Sequence, residues 1–89
     1  MNTVRALCYT PGEPRTHILV KNVYEEDADF ICDNNLVLTL EQLTTGDFAI
    51  YLRHEDDDED DDLITIANGR SCEECIKELV DKYKEIHKW

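Results

Sequence analysis

Cys72 and Cys75, separated by Glu73 and Glu74, are the residues whose type and spacing most directly suggest chemistry. Two cysteines with two residues between them suit thiol–disulfide exchange or half of a zinc site. For exchange, one thiol must be held as a thiolate, and the free amides that open a helix would favour this at Cys72. Glu73 and Glu74 place two negative charges beside it and oppose the effect. A redox fold of the thioredoxin kind also continues past its active-site helix, whereas this sequence ends at Trp89 inside that helix. For zinc, Cys8 and Cys32 could complete a four-thiolate set, but they do not form a second close pair. His17, His54 and His87 have no helpful spacing. The expectation is that no metal and no cofactor is bound. Cys75 is then a core residue, Cys72 a half-buried neighbour, and Cys8 and Cys32 inward-facing sheet residues. Cys72 and Cys75 are the residues of the alternative reading, a zinc or redox protein.

Carboxylates are the second chemical feature. Glu55, Asp56, Asp57, Asp58, Glu59, Asp60, Asp61 and Asp62 run without interruption, and Glu25, Glu26, Asp27 and Asp29 form a second concentration. The run lacks the spaced ligands, the turn glycine and the flanking helices of an EF-hand. With 21 acids against 9 bases the chain carries −12; without the eight acids of the run, 13 against 9 leave −4. This balance argues against direct binding to nucleic acid or to an anionic membrane, since both demand a basic surface. It favours a basic protein surface as partner. Three glycines exclude a glycine-rich phosphate cradle, and there is no nucleophile elbow, so an enzyme is not expected.

Small size, strong acidity and the absence of a catalytic constellation resemble, in composition, the DNA-mimic inhibitors that occupy nucleic-acid-binding proteins. The resemblance implies docking through the acids of both clusters, with carboxylates standing where phosphates would. A small accessory domain whose acidic loop only confers solubility is a further alternative.

The elements that position these residues follow from periodicity. Val4, Ala6 and Cys8 alternate with Arg5, Leu7 and Tyr9 before the turn cluster Pro11-Gly12-Glu13-Pro14. His17 to Val23 reads as a second strand, and Tyr24 to Asp27 as a loop or an exposed edge. Ala28, Phe30 and Cys32 share one face and lead through Asn34-Asn35 to Leu36, Leu38 and Leu40, which predicts a hairpin. Phe48, Ile50 and Leu52 form the next strand, and residues 55–62 a solvated, mobile loop ahead of the strand starting at Leu63. Ser71 and Glu74 fit a capping box, and Cys72, Cys75, Ile76, Leu79, Val80, Tyr83 and Ile86 recur on one helical stripe. The prediction is one α+β domain over residues 1–89: an antiparallel, meander-rich sheet of five to six strands with one C-terminal helix packed on a face. With no basic stretch followed by an apolar segment at the start, a cytoplasmic protein with reduced thiols is expected.

Overall fold

Alternating apolar residues build five strands, and the computed structural model, which describes residues 3–58 and 62–87, joins them in one sheet. Strands β1 (Val4–Tyr9) and β2 (Thr16–Val20) form an antiparallel hairpin in which Val4 faces Val20 and Cys8 faces Thr16. The chain then forms α1 (Glu25–Asp33) and continues into β3 (Leu36–Gln42), β4 (Phe48–His54), β5 (Leu63–Ile66) and α2 (Cys72–Ile86). The strand order is β2-β1-β3-β4-β5. β3, β4 and β5 are an antiparallel meander, but β3 lies parallel to β1, with Ala6 opposite Leu38.

The expected class, α+β with a C-terminal helix on a sheet of five to six strands, is found with five strands and with two corrections. The sheet is mixed, and residues 25–33 are a helix where an exposed loop and a strand are expected. The two corrections have one cause. A parallel pair needs a long crossover, and the segment containing β2 and α1 supplies it. Acids at Glu25, Glu26 and Asp27 fill the first turn of α1, where the helix dipole favours them. Val23, Asp27, Ala28 and Ile31 are buried at helical spacing. Asn34 donates its side-chain amide to the Phe30 carbonyl at 2.8 Å, and Asn35 takes φ 53°, which ends the helix and turns the chain into β3.

One face of the sheet carries the core. Val4, Ala6, Val20, Leu36, Leu38, Leu40, Ile50 and Leu52 form a single buried cluster with Ala28 and Ile31 of α1 and Cys75, Ile76, Leu79, Val80 and Tyr83 of α2. Ser71 caps α2 by accepting from the Glu74 amide. The predicted stripe holds except at its end, where Ile86 is exposed. Thr65 reaches the core face of β5 and is buried there; its hydroxyl donates to Glu78 Oε2 at 2.7 Å, while Arg70 donates to both Thr65 and Glu78. At the opposite end of the sheet from the β4–β5 loop, Asp47 accepts from the Asn68 amide and ties the β3–β4 turn to the end of β5.

Candidate functional site

The acidic segments hang from one end of the sheet. Val4 pairs with Val20 and Leu36 with His54, and the parallel register puts the first residues of β1 and β3 side by side. α1 leaves from the end of β2 and returns to the start of β3 at this end, and the β4–β5 loop leaves from His54 at the same end. The Glu55 amide donates to the Asn35 carbonyl at 3.0 Å, which fastens the start of the acidic run to the turn that follows α1.

Within that arrangement the predicted docking residues divide. Glu25, Glu26, Asp29, Glu55, Asp56 and Asp58 are exposed, whereas Asp57 and Asp62 are half-buried. Asp27 is 4% exposed and turns inward, where burial raises its carboxyl above the usual value and Lys77 and Lys84 partly offset this. Its Oδ2 has no hydrogen-bond partner among the described residues. Glu59, Asp60 and Asp61 lie outside the described residues. Arg53 holds the stems of the loop together: its Nη1 donates to the Asp57 carbonyl at 2.9 Å, and its Nε stands 3.4 Å from Asp62 Oδ1.

The cysteines divide as well. Cys75 is buried and Cys72 half-buried, as the stripe predicts. Burial raises the Cys72 thiol above its ordinary value and Glu73 raises it further; burial likewise raises Cys75. Both shifts favour the neutral thiol and weaken nucleophilic or metal-binding chemistry. Cys8 lies on the core face of β1, half-buried, but the inward sheet position expected for Cys32 is incorrect, since it sits exposed on α1. No group of three or more His, Cys, Asp or Glu among the described residues is placed to hold a metal ion. No helix among them is long and apolar enough to cross a membrane.

The face of the sheet turned away from both helices holds residues that the sequence reading left unassigned. Strand register arranges them in three rows that cross the five strands. The row nearest the acidic end runs Leu19, Arg5, Val37, Arg53 and, just before β5, Asp62. The middle row runs His17, Leu7, Thr39, Tyr51, Ile64. The far row runs Arg15, just before β2, then Tyr9, Glu41, Ala49, Ile66. Leu19 is 61% exposed and Ile64 53%, so large apolar side chains stand in water at both outer strands. Between them a shallow trough of about 380 Å³ is lined by Tyr9, Arg15, Glu41, Tyr51, Arg53 and neighbouring residues. The Arg15 guanidinium lies 4.4 Å over the Tyr9 ring, and the Tyr51 hydroxyl donates to Glu41 Oε2 at 2.6 Å. Among the described residues three of the chain's four arginines lie on this face against two carboxylates, so it is nearly neutral in a molecule of −12. The signal for it was the second phase of the alternation, Leu7-Tyr9 and Ala49-Tyr51, which stays apolar where a solvated face would be polar.

No family model matches the chain, and neither does any curated protein or solved structure.

Proposed function

We propose that this is a small non-enzymatic binding protein whose acidic end docks on a basic protein surface, in the manner of a DNA mimic on a nucleic-acid-binding protein. The observation that supports the reading is the joint placement of two acidic segments at one end of the sheet, fastened by the bond from the Glu55 amide to Asn35. Glu25, Glu26 and Asp29 on one segment and Glu55, Asp56 and Asp58 on the other leave six exposed carboxylates there. Such a cluster steers a cationic partner, and the association weakens as salt screens it. Asp27, which faces inward, is left out of the docking set, and Asp62 acts through Arg53 as a stem of the loop.

The test is capture of basic proteins from the native cellular background by the full chain at low salt, followed by competition with duplex DNA. Replacing Glu55 to Asp62 by Gly and Ser should weaken the captured complex and flatten its salt dependence. Unchanged affinity with an unchanged salt slope would refute docking through this end, and binding that DNA does not displace would refute the mimic reading.

A further inference from the structure

The bare sheet face lies away from the acidic end and carries a different kind of surface. Its composition is that of a small protein interface: apolar and aromatic residues at Leu7, Leu19, Val37, Tyr9, Tyr51, Ile64 and Ile66, with arginines interleaved. Among the described residues neither helix covers it, since both pack on the core face.

We propose that a second copy of this chain covers the face, pairing sheet to sheet about a two-fold axis that lies across the strands. The charges favour this partner and this axis. Arg5 and Arg53 stand in the row nearest the acidic end, with Asp62 at its β5 margin, and Glu41 stands in the far row, with Arg15 at its β2 margin. A two-fold axis through the middle row lays each near row over the far row of the other copy. Glu41 of the second copy then falls between Arg5 and Arg53, and Arg5 comes over the Tyr9 ring of that copy. Leu7, Tyr51 and Ile64 of the middle row meet their own counterparts. The same axis sends the two acidic ends to opposite extremes of the dimer, where they repel least. An axis along the strands would instead set Arg5 against Arg53, Glu41 against Glu41, and the two acidic ends side by side. Sheets stacked in this way are the usual aligned arrangement, about 10 Å apart with a modest rotation.

Five strands about 4.8 Å apart and five residues at about 3.4 Å along each span roughly 400 Å² of flat sheet per copy. That places the contact in the smaller, reversible class of interfaces. Each copy carries −12, so added salt relieves repulsion between copies, and dimerisation tightens as salt rises. Docking of a basic partner on the acidic end has the opposite salt dependence, which separates the two surfaces experimentally.

Sedimentation equilibrium of the full chain at low and high salt, from micromolar to millimolar protein, tests the proposal. The expected result is a monomer–dimer equilibrium whose dissociation constant falls severalfold as salt is raised. Ile64→Glu changes an exposed side chain that meets its own counterpart across the axis and should give monomer at every concentration, with circular dichroism confirming the fold. Arg5→Glu should weaken the dimer at least tenfold, and Arg5→Glu with Glu41→Arg should restore it. Glu25→Gln on the acidic end should leave association intact. A chain that is monomeric at millimolar concentration in high salt overturns the proposal. So does a dimer indifferent to Ile64→Glu, and a charge-swapped pair that fails to recover overturns the axis.

Discussion

Replacing Asp27 by Asn should stabilise the protein, although it removes an acid from the first turn of a helix. Asp27 Oδ2 is buried without a hydrogen-bond partner among the described residues; the Asn amide keeps a polar atom there, so what the substitution removes is the added cost of burying a charge, on the order of 2 kcal/mol. Two effects oppose this cost. The helix dipole contributes about 0.3–1 kcal/mol in favour of an acid at this position, and Lys77 and Lys84 of α2 attract the carboxylate, while Asp81 and Glu26 repel it. The balance is a gain of about 1 kcal/mol for the neutral amide at neutral pH, or about 4–8 °C in melting temperature for a domain of this size. The pH dependence fixes the cause. Because the folded carboxyl titrates above its unfolded value of 3.8, the folded state holds the proton more tightly, and stability falls as pH rises from 3.8 through the folded value. The advantage of Asp27→Asn should therefore be full at neutral pH and shrink on acidification toward 3.8. Thermal melts of both proteins by circular dichroism across that range measure it. A lower melting temperature for the variant at neutral pH, or a difference that does not change with pH, would refute the reasoning.

Glu78→Ala should destabilise by about 1–2 kcal/mol, because the buried Thr65 hydroxyl loses its acceptor and Arg70 its carboxylate, with the ionic part reduced by the partial exposure of Glu78. The hydrogen bond from Thr65, then that from Arg70, holds the Glu78 carboxyl below its ordinary 4.5, so its contribution is present above that value and is lost as pH falls below it; urea unfolding across that range reads the loss. The hydrogen bond to Glu41, with some help from burial, pushes the Tyr51 phenol up to about 12. Ultraviolet titration should show a tyrosine ionising near 12 that moves down toward 10 in Glu41→Gln; no movement would mean that the bond is not made in solution.

α2 was legible because cap, period and length agree: Ser71 opens it and seven apolar positions follow one stripe. β3 and β4 were legible for the matching reason at period two. α1 was not. Its buried stripe contains an acid, Asp27, which breaks the apolar pattern at helical spacing, while Ala28, Phe30 and Cys32 imitate a strand over the same residues. The parallel pairing of β1 with β3 leaves no local mark, since it depends on a crossover rather than on a turn. Charge runs showed where the acids lie along the chain, but not that both segments share one end of the sheet or that Arg53 clasps the loop. Those relations follow from strand direction, and that became fixed only once α1 was a helix.

The β1–β3 ladder has a consequence for how the chain assembles. Residues 4–20 close on themselves through one hairpin and residues 36–66 through a meander, both with local contacts that form early. Among the described residues the sheet joins these units along one line only, between strands whose partners lie about thirty residues apart, as with Ala6 and Leu38. Closing that line carries the larger loop entropy, and it aligns the apolar rows on which α1 and α2 settle. Folding is thus expected to wait on this one ladder, and loosening Leu7 or Thr39 within it should slow folding more than equal damage at β5.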